Sequence, residues 1–388
     1  MATTFDDILS ELPDIKKNAR NMKETILANL VMLGETPAPT YGEEKRIEVL
    51  MDRFKHPDVK RVSIDQVGNG VGIIEGVETD KNILVVAHAD TVFDKNVDHT
   101  IQVQPQSTVG PGVADNSLGL AIVAALPTLL EEMDISFRHN LVLAGATRSL
   151  GRGDLEGLRF FLSNFDDPIT AGVVLEGVEL GRLSHTSIGM QRGVITCRIP
   201  EQYDWSRFGE ASAILTVNEI INKINEIRIP QRPRTSIILG SMEGGSSFTT
   251  ARKATLRFEI RSESSEMVQE IGQIINNIVN EISTRSGDKL ELDIFAERKP
   301  GGISFSHPLV QRTMQIMDKL DIKSRPGPST SELSAFIDWE LPAITLGMTH
   351  GSNVREKNER IEIDPIYKGI AQTIGTLKAI DGGYCEED

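Results

Sequence analysis

Residues 82–91 read NILVVAHADT: a polar Asn82, an unbroken apolar run from Ile83 to Ala87, then His88-Ala89-Asp90-Thr91. A short apolar run without alternation reads as a strand buried on both faces, the kind found inside parallel sheets. A histidine just past the carboxyl end of such a strand, with an aspartate two residues on, suits a metal ligand and its orienting carboxylate. Taken alone, a structural histidine fits the same place.

The pattern continues outward as alternating elements. Asn116–Met133 reads as a helix with Asp115 or Asn116 at its N-cap, His139–Ala144 as a strand, Asp154–Phe165 as an amphipathic helix and Ala171–Leu175 as a strand. Strands alternating with helices predict a three-layer α/β domain. The texture then changes. Strands at Val194–Ile199, Thr235–Met242, Ala254–Arg261 and Lys289–Ala296 are interleaved with helices at Ala211–Ile227 and Ser265–Ser283. The first of those helices is expected to turn Ile214, Val217, Ile221 and Ile224 inward, and the second Met267, Ile271, Ile274, Ile275 and Ile278. That order is βαββαβ, the ferredoxin-like arrangement. After Pro300 the α/β texture returns, with a helix at Leu309–Lys319, a strand at Ala343–Leu346 and a helix at Pro365–Ile380. The expected architecture is a discontinuous α/β domain, residues 1–190 and 301–388, with a ferredoxin-like domain inserted at 191–300.

Two further acidic residues share the setting of His88. Asp115 lies on the glycine-shaped turn Gly110-Pro111-Gly112-Val113-Ala114-Asp115-Asn116, and Glu176 follows a predicted strand and precedes Gly177. One histidine and two carboxylates at strand and turn ends make an open three-ligand metal site. An N-cap aspartate is the plainer reading of Asp115 alone.

Together these residues resemble the zinc aminoacylase, acetylornithine deacetylase, carboxypeptidase G and peptidase T family, metallopeptidase family 20. The resemblance rests on His88-x-Asp90, the turn ending Asp115-Asn116, Glu176-Gly177 and the inserted βαββαβ unit. It extends through Pro37–Glu44, Glu243-Gly244-Gly245, Phe258–Arg261, Pro342–Gly347 and the run from Gly351 to Glu359. It implies a zinc-exopeptidase-like domain carrying a lid and dimerisation domain. It also implies two zinc ions bridged by Asp115, one of them also held by His88 and Glu176, with Asp90 behind His88.

The sequence departs from that pattern where the chemistry is densest. Before Gly151-Arg152-Gly153-Asp154-Leu155, the resemblance calls for a pair of glutamates, a general base and a second-metal ligand. Ser149 and Leu150 stand there. A serine hydroxyl is no base near neutral pH, and leucine has no lone pair. The late histidine ligand falls on Arg355, a permanent cation. The lid histidine falls on Tyr203, the lid asparagine on Thr249, and a common Thr-Asp-x-Asn on Ser331-Glu332-Leu333-Ser334. Arg261 is retained, either to meet a ligand carboxylate or to form an ion pair on the sheet. Arg261 and Asn116 are the candidate ligand contacts, joined by the loops Gly327–Glu332 and Gly347–Gly351.

What remains supports one zinc per chain at His88, Asp115 and Glu176 and argues against a second. Arg355 is expected to pair with Asp115 where a second ion would sit. Three readings follow: a protein that binds a peptide-like or N-acyl amino-acid-like ligand without ordinary hydrolysis, a single-metal amide hydrolase using another base such as Glu179 or Asp154, or a non-catalytic dimer partner of an active relative. The resemblance also implies a homodimer through the inserted domain.

Composition bounds the rest. Of 388 residues, 39% are hydrophobic and 25% charged, which describes a globular chain with a sizeable core. A formal net charge of −15, with no basic run, argues against nucleic acid and anionic lipid as partners. Apolar runs such as Leu120–Leu126 are too short to span a bilayer, and Met1–Ile15 does not read as a secretory signal. Cys197 and Cys385, far apart and without metal-type spacing, suit a reduced cytoplasm; Cys385 is expected in a frayed tail.

Overall fold

A computed structural model describes residues 4–199, 212–245 and 251–387. They form two compact units, Met1–Ser187 with Gly302–Asp388, and Ile188–Gly301.

In the large unit the strand that carries His88 runs Glu78–His88. Ile83, Val85 and Ala87 enter one apolar cluster, and Leu84 and Val86 enter another. Both faces are dry, so the run tolerates no polar break. The strand pairs in parallel with His139–Ala146 on one side and Ile169–Val178 on the other, and Ala343–Thr349 adds a fourth parallel strand. Antiparallel pairings extend the edges, and Arg325–Ser329 pairs in parallel with Arg182–Ser187, giving nine strands among the described residues. Helices Phe5–Asn21, Lys23–Gly34, Leu118–Glu132 and Ile366–Asp381 cover one face, and Glu156–Asn164 with Leu333–Asp338 the other. The result is the expected three-layer α/β architecture.

The first helix buries Phe5, Ile8, Leu12, Ile15 and Ala19 at helical spacing and opens on a reciprocal cap. Asp7 N–H donates to Thr4 Oγ1 at 3.2 Å, and Thr4 N–H donates to Asp7 Oδ2 at 2.8 Å. Val113–Glu132 is, among the described residues, a helical segment long and apolar enough to cross a membrane. It is 89% buried over its most apolar stretch, and packing inside the protein accounts for its hydropathy. Cys385 is not frayed: it is 7% exposed and packs into the larger cluster.

The small unit has four antiparallel strands, Gly189–Arg198, Thr235–Gly244, Lys253–Ser262 and Lys289–Arg298, in the spatial order second, third, first, fourth. With helices Ala213–Asn225 and Ser265–Ser286 between them, this is the ferredoxin-like order. Both helices are rotated from the expected face. The longer buries Val268, Ile271, Ile275, Val279 and Ile282, leaving Met267 and Ile278 at the margin. Val268 and Val279 complete a stripe at helical spacing that the isoleucines alone misplace. The shorter buries Ala213, Thr216, Val217, Ile220 and Ile224, with Ile214 and Ile221 only partly buried.

Candidate metal centre

Val86 and Val174 are register partners in neighbouring parallel strands, so His88 and Glu176, each two residues on, come level at the carboxyl ends. Asp115 reaches the same point from the turn before the buried helix. Gly112 makes that turn at φ 73°, a backbone conformation that glycine adopts without strain. Gly177 lets the Glu176 strand pass beneath the turn: a Cβ there would lie 2.3 Å from the Ala114 carbonyl oxygen. Asn116 fastens the two together. Its Nδ2 donates to Leu175 O at 2.8 Å, and its Oδ1 accepts from Gly177 N at 2.7 Å and Gly119 N at 3.2 Å. Those three bonds tie the Asp115 turn to the Glu176 strand, so Asn116 positions the two carboxylates.

One ligand atom each from His88, Asp115 and Glu176 lies within 4.8 Å of the others. His88 Nδ1 faces the main-chain oxygen of Asp90 at 2.9 Å and its carboxylate at 3.4 Å, which leaves Nε2 directed at Asp115 Oδ1, 3.0 Å away. Anchoring one ring nitrogen on a backbone carbonyl fixes the ring for ligation by the other. A nitrogen and two carboxylates with an open side are a donor set that zinc accepts.

The charges are tightly interlocked. Burial works against a charged His88, but the carboxylates of Glu332, Asp115 and Asp90 outweigh it and raise its proton affinity well above the ordinary imidazole value. Burial also works against an ionised Asp115, yet His88 and Arg355 hold its carboxyl far below the usual range. Glu176 goes the other way: burial raises it, His88 opposes, and Glu332 and Asp115 add to the rise.

Arg355 points inward. Its Nε donates to Asp115 Oδ2 at 3.0 Å, while the side chain as a whole stays 62% exposed. Behind it Glu359, fully buried, accepts from Arg355 N at 2.6 Å, Ala114 N at 2.8 Å and Asp115 N at 3.2 Å. Ser149 and Leu150 lie at the same end of the sheet, their N–H groups donating to Asp90 Oδ2 at 3.1 and 2.8 Å. The Ser149 hydroxyl is buried without a hydrogen-bond partner.

Other candidates are otherwise engaged. Glu179 pairs with His350. Asp154 accepts from Arg159 Nη1 at 2.9 Å. Arg261 lies in the small unit, where Arg261 and Arg192 both pair with Glu259. Gly347 and Gly351 take no positive φ; a Cβ on Gly347 would meet Glu179 O at 2.0 Å, so close approach is what requires that glycine. Tyr203 and Thr249 lie outside the described residues.

Sequence reading assigns no role to three buried residues. Glu359 ends the Gly351–Glu359 run, and that position is the available signal. Glu332 reads only as a replacement. Arg46, fully buried, donates to Thr36 O at 2.8 Å and Ala89 O at 3.0 Å, bracing the His88 loop. Nothing in its helix marks it apart from a surface arginine.

No protein-family model matches the sequence, and no curated protein sequence matches it. Solved structures do. A dipeptidase from Saccharomyces cerevisiae, Dug1p, superposes with a TM-score of 0.75 at 12% identity over 98% of this chain and 99% of its own. A tripeptidase from Staphylococcus aureus gives 0.74 at 16% over 92% and 98%. A dinuclear metal-binding peptidase of the M20 family from Bacillus subtilis gives 0.62 at 13% over 94% and 99%. The chain has the fold of M20-family peptidases.

Proposed function

We propose that this chain is a divergent M20-family protein that holds one divalent cation, zinc by resemblance, at His88, Asp115 and Glu176. It binds a peptide-like or N-acyl amino-acid-like ligand there without ordinary two-metal hydrolysis. The observation that carries this is the contact of Arg355 Nε with Asp115 Oδ2 at 3.0 Å. In a two-metal site that oxygen would face the second ion; here it faces a cation that the chain itself supplies. Leu150, at the second-ligand position, offers no donor, and Ser149, at the base position, offers only a hydroxyl. A bound cation would polarise a ligand carbonyl, and Arg355 would balance the charge of Asp115.

Metal analysis after zinc loading and desalting tests the reading, together with thermal shift and turnover assays on peptides and N-acyl amino acids. One ion per chain with ligand-dependent stabilisation and no turnover supports it; two ions per chain sink it. One ion with turnover would select a single-metal hydrolase, the second reading, which the intact three-residue cluster favours. Homodimerisation through the inserted domain and a cytoplasmic setting belong to this proposal as well.

A further inference from the structure

On the large unit a cavity of about 600 Å³ opens where three segments distant in sequence converge. They are the junction of helices Phe5–Asn21 and Lys23–Gly34, the strand Arg360–Glu362, and the start of helix Ile366–Asp381. That volume lies in the range of small-ligand sites. The cavity shares no lining residue with the His88, Asp115 and Glu176 cluster.

Its charges fall into two groups. Arg20 and Asp364 are paired with each other, and the Arg20 guanidinium also lies over the Tyr367 ring, 5.6 Å from its centroid. Lys23, Arg360 and Glu362 differ: among the described residues their side chains make no ion pair and no hydrogen bond. In a chain with 56 acidic residues against 41 basic ones, cations have acidic partners to spare, yet these two have none. Strand geometry explains why Arg360 and Glu362 do not neutralise each other. Ile361 between them is buried and both charged residues are exposed on the opposite face; residues so placed stand about 7 Å apart along a strand. The lining beside them is apolar, with Ile363 and Tyr367 each 3% exposed.

Such a cavity selects by charge. A polyanion would meet the Glu362 carboxylate, and a polycation would meet Lys23 and Arg360. A molecule with one charge of each sign finds a partner at both ends. Two residues of extended peptide span about 7 Å, which matches the spacing of Arg360 and Glu362 along the strand. We infer that this cavity is a second ligand site, for a zwitterionic dipeptide. Its carboxylate meets Arg360 and Lys23, its ammonium meets Glu362, and its side chains lie over Ile363 and Tyr367. The site needs no metal, so it stands or falls apart from the one-cation reading.

The test is titration of the full chain in EDTA, by calorimetry and ligand-observed NMR, with three probes. These are alanyl-leucine, N-acetyl-alanyl-leucine, which lacks the ammonium, and alanyl-leucinamide, which lacks the carboxylate. Wild type is expected to bind the zwitterion about tenfold more tightly than either analogue, the worth of one charge-assisted hydrogen bond. Arg360→Gln is expected to weaken the zwitterion and the N-acetyl analogue by about tenfold and to leave the amide unchanged. Glu362→Gln is expected to do the converse, sparing only the N-acetyl analogue. Both residues are exposed, so both variants should fold; should one fail, the other with the wild-type probe series decides. Equal affinity for the three probes overturns the assignment, and so does uniform weakening of all three in either variant. Zwitterion binding untouched by both substitutions overturns it, as does no binding by wild type up to roughly 10 mM. Binding that appears only after zinc is restored belongs to the metal centre and overturns it as well.

Discussion

Arg355 and Asp115, 240 positions apart in the chain, meet with Nε 3.0 Å from Oδ2. The aspartate is therefore shared between a guanidinium on one oxygen and His88 on the other, and any cation must compete with both. Replacing Arg355 by Gln removes a positive charge from the site. Zinc affinity is expected to rise about tenfold, a shift of the size one neighbouring charge produces. Because Arg355 is 62% exposed, the loss of its pair should cost the metal-free fold no more than about 1 kcal/mol. Chelator competition and denaturant melts in EDTA measure the two effects.

Arg355→His alone should leave one ion per chain, because Leu150 still offers nothing to a second. Arg355→His combined with Leu150→Glu should raise the stoichiometry to two, read by elemental analysis. Adding Ser149→Glu supplies the missing base, worth roughly 10²–10⁴-fold in a competent site. Turnover appearing only in the triple variant would show that these three positions account for the loss; turnover in wild type would show that they do not.

Asn116→Ala removes three hydrogen bonds from a buried place, to the Leu175 carbonyl and the N–H groups of Gly119 and Gly177. The expected cost is about 2–4 kcal/mol in urea denaturation. Zinc affinity should fall with it, since the same amide holds Asp115 beside Glu176. Stability lost with affinity unchanged would mean that the ligand cluster does not depend on this clasp.

Thiol reactivity has a defined pH dependence. Burial pushes Cys385 up to about 12 and Cys197 up to about 11, so both stay protonated until well above neutrality. Native protein should show no reactive thiol toward a disulfide reagent at pH 8 and two per chain in denaturant. A fast-reacting thiol in the native protein would mean that the Cys385 segment opens readily.

The central strands are legible because they are buried on both faces: Ile83–Ala87 admits no other reading than a dry segment, and its neighbours repeat the pattern. The ligand trio is legible as positions, at strand and turn ends. What the sequence conceals is direction. Asn116 and Glu332 are both buried polar residues, yet one spends its side chain on backbone and the other leaves an oxygen orphaned. Composition and spacing cannot separate these, because the difference lies in partners from strands far away in the chain. The helix faces of the small unit fail for a related reason: two adjacent stripes are both apolar enough, and the sheet chooses.

The small unit is one continuous insertion in the chain of the large one. The chain leaves the large sheet after Ser187 and rejoins it at Gly302, where Ile303 N–H donates to His185 O at 3.0 Å. Departure and return are thus stitched side by side, as in a graft. Excising residues 189–301 and closing the gap with a short glycine link would ask little loop-closure entropy of the large unit. The His88, Asp115 and Glu176 cluster would be left whole, since every residue of it precedes the cut.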